Sequence, residues 1–127
     1  MVSAKSPHIR LQHILENIDG ILTATSGMTT AEVMSSFVLI RAVERAVQII
    51  SEAAKELPKN IRDAEPGVPW QDIIRIGNIL RHEYYRIRED VLIDILQVDL
   101  PKLRPAVIRL LATTSGSGPD RRNEGGD

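Results

Sequence analysis

Apolar residues recur three and four positions apart along almost the whole chain, and no segment alternates between apolar and polar residues. A spacing of three to four places apolar side chains on one face of a helix, whereas a strand needs a period of two. The chain has 127 residues, which provide one hydrophobic core but not two ordinary domains. The pattern therefore predicts an all-α fold, an antiparallel bundle of about four to five helices.

The first two helices are predicted from their apolar positions and from capping signals. Helix one is expected over about residues 7–23. Thr29, with Glu32 three residues later, forms a capping box and marks the start of helix two, which we expect to continue as one helix to Leu57. The apolar positions of helix two, for which more than one packing partner is expected, are Val33, Phe37, Ile40, Val43, Val47 and Ile50.

Proline and glycine divide the second half of the chain. Residues 58–69 contain three Pro and one Gly, so we expect a long connection that cannot continue a helix. A third helix begins at Trp70, which at a helix start is more typical of a core residue than of a stacking platform. A break near residues 88–90 precedes a short fourth helix, and Asp99 with Pro101 is expected to open the last helix.

The end of the chain differs in composition from the rest. Residues 113–127 contain no large apolar residue and hold four of the eight Gly. Such a segment cannot bury enough apolar surface to offset the entropy of ordering it. We therefore predict one helical domain over residues 1–112 and a disordered tail over residues 113–127.

Composition excludes several classes of function. With no Cys, the chain has no disulfide framework, thiolate metal site or Cys nucleophile, and three His make a His-rich metal site a poor hypothesis. Sixteen Lys and Arg against 17 Asp and Glu give 16 − 17 = −1, so the chain lacks the overall positive charge of a general nucleic-acid binder. Polar residues interrupt the apolar N-terminal segment, which predicts neither a signal peptide nor a membrane span. We expect a cytoplasmic protein without a membrane partner.

Positive charge is nevertheless concentrated in one segment. Residues 75–88 contain four Arg and one Glu, a local balance of 4 − 1 = +3. On a helix, Arg75 and His82 are about 20° apart in azimuth, because seven residues make almost two turns. Asn78 lies between them, so the predicted polar stripe consists of Arg75, Asn78, His82 and Arg86.

This stripe suits the chemistry of a phosphodiester. Histidine can take a proton from a 2′-hydroxyl or give one to a leaving oxygen. Arginine can hold the phosphate through paired donors, and asparagine can donate to a phosphate oxygen. This chemistry requires neither a metal nor a cofactor. Spacing alone favours a plainer interpretation, a solvated polar face of an amphipathic helix.

Four segments in register resemble a known family. They are residues 50–57 (I-S-E-A-A-K-E-L, against I-G-E-A-A-x-x-L), the Pro-Trp pair at 69–70, residues 78–84 against R-N-x-x-x-H-x-Y, and residues 99–103 against D-L-P-x-L. Together they resemble the HepT-like group of HEPN-domain proteins over residues 1–112. These are ribonuclease toxins paired with a minimal nucleotidyltransferase antitoxin in type VII-like toxin-antitoxin systems.

The resemblance implies an HEPN-like bundle and a homodimer that cleaves RNA without metal at a shared cleft. Asn78 and His82 match the motif. It further implies that the antitoxin silences the toxin by transferring AMP to the motif tyrosine, which is Tyr84 here. Added AMP would bring negative charge and bulk into an RNA-binding cleft. Arg81 and Arg86 would contribute to phosphate binding.

The sequence departs from the motif at one position, since Gly77 stands where the family has Arg. The wider HEPN superfamily accepts up to six residues between Arg and His, and Arg75 meets that spacing; Arg81 is a second substitute. A glycine costs roughly 1 kcal/mol inside a helix, which suggests a close helix approach or a relaxed site. Two hypotheses follow: a ribonuclease with Arg75 and His82 as its catalytic pair, or a non-catalytic helical dimer that binds a nucleotidyltransferase or nucleotide.

Overall fold

The computed structural model describes the backbone of residues 6–82 and 89–114, and the side chains of these residues except 81, 82 and 89. Its secondary structure within these ranges is helical, with no strand, so the predicted all-α fold is confirmed. The elements are α1 (Pro7–Ala24), α2 (Thr30–Met34), α3 (Phe37–Glu56), α4 (Lys59–Asp63), α5 (Trp70–His82), α6 (Glu89–Asp94), a π-helical turn (Ile95–Asp99) and α7 (Leu100–Thr114).

The core lies between α1, α3, α5 and the last helical run. Helix α3 packs against both α1 and α5, and α1 also packs against α7. Each large aliphatic side chain buried in this way contributes about 1.5–3 kcal/mol. The largest fully buried side chains are Leu11, Ile14, Ile18, Val43, Ile50 and Val107. None of the described helices combines the length and the hydrophobicity that a bilayer crossing requires.

Polar contacts show that neighbouring long helices run antiparallel. Arg104 Nε donates to Asp19 Oδ1 at 2.6 Å, and His8 Nδ1 lies 3.0 Å from Thr114 Oγ1, so the start of α1 meets the end of α7. Arg10, near the start of α1, likewise lies 3.9 Å from Glu56 at the end of α3.

The predicted second helix is wrong in one respect, because it is divided in two. The capping box is present: Thr29 Oγ1 accepts from the amide of Glu32, and Glu32 Oε1 accepts from the amide of Thr29. The helix ends at Met34, and Ser36 then caps α3 by accepting from the amide of Leu39 at 3.1 Å. A serine hydroxyl competes in this way with continued helix. Phe37 therefore lies at a helix start, 73% exposed, rather than on a buried face.

The connection at residues 58–69 also contains more structure than expected, since α4 occupies part of it. The interpretation of Trp70 as a core residue is confirmed by its 7% exposure. Its indole Nε1 donates to the carbonyls of Arg62 at 3.0 Å and Glu65 at 3.2 Å. The indole thereby fixes the connection against the start of α5.

The last helix begins at Leu100, as expected, but the expected break at Asp99 is wrong. The chain is helical without interruption from α6 through the π turn into α7, and Asp99 lies inside the π turn. Pro101 follows this turn and has no N–H to donate in regular α-helical register, which accounts for a change of hydrogen-bonding pattern here. Helix α7 reaches Thr114, and residues 115–127 lie outside the described residues, so the division into domain and tail stays a prediction.

An ion pair ties α7 to this connection. Arg109 donates to both carboxylate oxygens of Glu65, at 2.8 and 2.9 Å, and the Glu65 side chain is 16% exposed. Hydrogen bonding from the Arg109 guanidinium lowers the pKa of Glu65 below its ordinary value. The pair therefore stabilises the fold above the unfolded pKa of about 4.3, and this contribution is lost as the pH falls through the lower, folded pKa.

We expect Glu65→Gln to lower the urea midpoint at pH 7 by about 0.3 M or less, because surface ion pairs contribute little and the Arg109 side chain of this pair is 60% exposed. The difference from the wild type should shrink once the pH is below the folded pKa, where Glu65 is protonated in both states. Urea titrations at neutral pH and near pH 3, followed by circular dichroism, measure this. Glu16→Gln, at an exposed position of α1, is the control. A difference that is as large in acid as at pH 7 would contradict the assignment.

Candidate active site

Helix α5 presents one face to solvent and the opposite face to the core. Along the solvent face the exposed residues are Gln71, Asp72, Arg75, Asn78 and Ile79. His82, the last residue of α5, falls within about 20° of Arg75 by helical register. Arg75 and Asn78 thus share the exposed face on which the backbone position of His82 also lies.

Gly77 lies on the buried face, where α5 meets α3. Ser51, 4% exposed, donates from its Oγ to the carbonyl of Ile74 at 2.9 Å. A Cβ added at position 77 would lie 1.9 Å from Ser51 Oγ and 2.3 Å from Ser51 Cβ. Real Cβ atoms do not approach so closely, so a side chain at position 77 would require Ser51 to move or α3 and α5 to separate. Of the two interpretations of Gly77, the structure supports the close helix approach.

Positions 75 and 77 point in nearly opposite directions from α5. Arg75 is rotated by about 160° from Gly77 around α5, two residues at 100° each. An arginine at position 77 would leave the helix toward α3, whereas Arg75 leaves it toward solvent. Of these two positions, only 75 gives a guanidinium direct access to an anion in solution.

Arg75 has a counter-ion in the protomer. Its Nη2 lies 2.7 Å from Asp72 Oδ1, one turn toward the helix start, and the two side chains are 67% and 61% exposed. Exposed pairs of this kind contribute between 0 and about 1 kcal/mol, so a phosphate could displace the carboxylate. Asp72 in the first turn also suits the positive end of the helix dipole.

Part of the predicted site is not described. Arg81 and His82 are placed as helical backbone only, and Tyr84 and Arg86 lie outside the described residues. The polar stripe is therefore described at Arg75 and Asn78. Among the side chains that the structure does describe, no three of His, Asp and Glu gather closely enough to hold a metal ion.

Two features near the site escaped the sequence analysis. One is the contact of Ser51 with α5, for which the signal was a serine at the glycine of the family segment I-G-E-A-A. The other is the exposure of Phe37, for which the signal was the Ser35-Ser36 pair directly before it. A capping serine resets the helix phase, so residues after it need not continue the earlier apolar face.

Comparison with known proteins identifies the family of the chain. A family model described as ribonuclease HepT-like matches residues 14–110. The chain belongs to the HepT-like ribonuclease family. The match includes α3, α5 and most of α7, and hence the described part of the candidate site.

The chain is similar in sequence to several proteins named as ribonucleases. The chain is 31% identical over 107 residues to "Putative RNase TTE0752" of Caldanaerobacter subterraneus subsp. tengcongensis. This alignment covers 84% of this chain and 96% of the relative. It is 32% identical over 97 residues to "Putative RNase MJ1380" of Methanocaldococcus jannaschii, 76% of this chain and 89% of the relative. "Probable ribonuclease HepT" of Thermococcus cleftensis is 35% identical over 63 residues, 50% of this chain and 57% of the relative. No solved structure matches the chain significantly.

Proposed function

We propose that this protein is a metal-independent endoribonuclease, the toxin of a HEPN and nucleotidyltransferase pair, and that it acts as a cytoplasmic homodimer. Membership of the HepT-like ribonuclease family supports the reaction class. The observation that carries the site assignment is the shared exposed face of α5, with Arg75 and Asn78 in register with the backbone position of His82.

The proposed reaction is an internal transesterification of RNA. His82 removes the proton of a 2′-hydroxyl, whose oxygen attacks the adjacent phosphorus. The bond from phosphorus to the 5′-oxygen breaks, that oxygen receives a proton from solvent water, and His82 returns its proton to the solvent. The products are a 2′,3′-cyclic phosphate and a 5′-hydroxyl. Arg75 leaves Asp72 to hold two non-bridging oxygens and stabilise their growing charge, while Asn78 donates to a phosphate oxygen.

Residues around this pair complete the proposal. Arg81 and Arg86 bind flanking phosphates, and the second protomer supplies an equivalent pair across a shared cleft. The antitoxin silences the enzyme by transferring AMP to Tyr84. The transferred phosphate adds negative charge beside the arginines and thereby opposes RNA binding.

The test is RNA cleavage by the purified protein in EDTA, with the termini of the products identified. We expect cleavage with 2′,3′-cyclic phosphate and 5′-hydroxyl ends, and growth arrest when the protein is expressed without its antitoxin. Incubation with ATP and the cognate nucleotidyltransferase should add AMP to the wild type but not to Tyr84→Phe, as intact mass shows. RNA that stays intact at high protein concentration would overturn the nuclease proposal.

A second candidate function rests on Gly77. The motif arginine is absent and the contact with Ser51 leaves no room for it, which favours a helical dimer that binds a nucleotidyltransferase or nucleotide without cleaving RNA. For this function we expect a stable complex with the nucleotidyltransferase, no AMP transfer and intact RNA. The cleavage and mass measurements therefore separate the two.

A further inference from the structure

The start of α3 exposes apolar surface that the proposed reaction does not use. Phe37 is 73% exposed and Val38 is 72% exposed, directly after the capping Ser36. An isolated exposed aliphatic residue is ordinary on a protein surface. An exposed phenylalanine ring beside basic side chains is a different feature, because a flat aromatic face can stack on another planar group.

Two arginines follow Phe37 along this face at intervals of four residues. The guanidinium carbon of Arg41 lies 5.2 Å from the centroid of the Phe37 ring, within cation–π distance. Arg45 lies one turn further and donates to Gln48. The acidic neighbour, Glu44, is paired with Arg41, and its side chain is only 13% exposed. The exposed surface of Phe37, Arg41 and Arg45, here called the α3 patch, is therefore aromatic and basic.

The α3 patch lies toward the same end of the bundle as His82. Ser51 meets α5 at Ile74 and Gly77. The start of α5 is bonded through its indole to the connection that directly follows the end of α3, so α5 runs antiparallel to α3. At 1.5 Å per residue, His82 is about 7.5 Å beyond Gly77 and Arg45 is about 9 Å before Ser51, so the two are nearly level. Phe37 is about 21 Å before Ser51, which places it about 13 Å beyond the level of His82. The patch thus begins at the axial level of His82 and extends away from it along α3. The position of His82 is about 140° around α5 from the Gly77 contact with α3, so a strand held at both would pass around α5.

We propose that the α3 patch is a base-stacking subsite for the single-stranded RNA that continues beyond the scissile phosphate, a proposal that rests on the proposed function. A base would stack on Phe37, and Arg41 and Arg45 would contact the flanking phosphates. Stacking on an aromatic side chain tolerates any base, because every base has a π face. The subsite would therefore favour longer unpaired RNA without selecting a sequence.

Charge favours RNA over a second copy of the chain as the occupant. A two-fold axis through the α3 patch would bring the arginines of one copy close to those of the other, where like charges repel. RNA instead brings phosphates, which are complementary to both arginines.

The experiment measures binding separately from cleavage. The probes are fluorescein-labelled 2′-O-methyl oligoribonucleotides of about 3 and about 12 nucleotides, whose blocked 2′-oxygen prevents reaction; sites on single-strand-binding modules span about 4–16 nucleotides. The variants are Phe37→Ala, Phe37→Leu, which keeps apolar volume without a π face, and Phe37→Trp, which keeps the π face. Val38→Ala is the control at an equally exposed neighbouring residue.

We expect Phe37→Ala and Phe37→Leu to weaken binding of the longer probe by about 5- to 100-fold in anisotropy titrations, with Phe37→Trp and Val38→Ala unchanged. The short probe should bind all variants alike. Phe37→Leu binding the longer probe as well as the wild type would overturn the proposal. So would a Phe37→Ala variant that changes oligomeric state in light scattering but binds RNA normally, since the patch would then join copies of the chain.

The same measurements separate this proposal from the proposed function. If RNA binding depends on Phe37 but the protein cleaves no RNA, the stacking subsite is supported and the nuclease proposal is contradicted. If the protein cleaves RNA but its preference for longer RNA does not depend on Phe37, only the subsite proposal is contradicted.

Discussion

His82→Ala is expected to lower the rate of metal-independent RNA cleavage by about 10²- to 10⁴-fold, the range that a positioned general acid or base contributes. Arg75→Ala should cost about 10²- to 10³-fold, because it removes the donors that stabilise charge on the phosphate. Arg75→Lys should recover only part of this loss, since lysine keeps the charge without the paired donors of the guanidinium. Initial rates on a labelled RNA in EDTA measure all three.

Arg10→Gln is a suitable control, because it removes one positive charge from α1 at a position paired only distantly with Glu56. It should cleave at the wild-type rate. If Arg75→Ala also cleaved at that rate, the arginine assignment would be wrong and Arg81 would become the remaining candidate. If His82→Ala did so, the nuclease site itself would lie elsewhere.

Gly77→Ala is expected to destabilise the fold by about 2 kcal/mol. Alanine gains about 1 kcal/mol of helix propensity over glycine, but the new Cβ would lie 2.3 Å from Ser51 Cβ. The Ser51 hydroxyl can rotate away at the cost of its hydrogen bond to Ile74, whereas its Cβ moves only if α3 and α5 separate. Overpacking of this kind typically costs about 1–3 kcal/mol, and the lost hydrogen bond about 1 kcal/mol.

The double variant Ser51→Gly with Gly77→Ala tests the cause. Without the serine side chain, the next atom that the new Cβ would meet is the Cα of residue 51 at 3.7 Å, an ordinary contact. The double variant should therefore be about 1–2 kcal/mol more stable than the sum of the single changes predicts. Urea denaturation followed by fluorescence of Trp70, the single tryptophan, measures this cycle. Additive effects would show that the two positions do not touch.

Local signals in the sequence predicted much of the fold. The apolar spacing gave the helical class, the Thr29 capping box gave the start of α2, and the burial of Trp70 followed from its place after Pro69. These predictions succeed because each depends on interactions within a few residues. The division of the second helix at Ser36 was not predicted. A serine inside an apolar pattern can either continue or cap a helix, and packing decides which. The last helix was predicted to begin where it does, at Leu100, but Asp99 continues the preceding helical turn instead of capping it, for the same reason.

The candidate site was predictable only in part. Helical register correctly places Arg75 and Asn78 on one exposed face, since this needs only the angle per residue. The sequence could not predict that Ser51 occupies the space of a side chain at position 77. The two residues are 26 positions apart, and their contact depends on how closely α3 and α5 approach. The exposure of Phe37 likewise depends on where the chain turns before α3.

The contact of Ser51 with Gly77 constrains the order in which this protein could acquire the arginine of the family motif. A single change of Gly77 to Arg would place a side chain against Ser51 and pass through a destabilised intermediate. The more accessible order begins with Ser51 to Gly, although by itself this change removes a hydrogen bond and brings no catalytic gain. Because the first step is neutral or costly, selection for an arginine at this position is slow, and descendants of this chain are expected to retain glycine here.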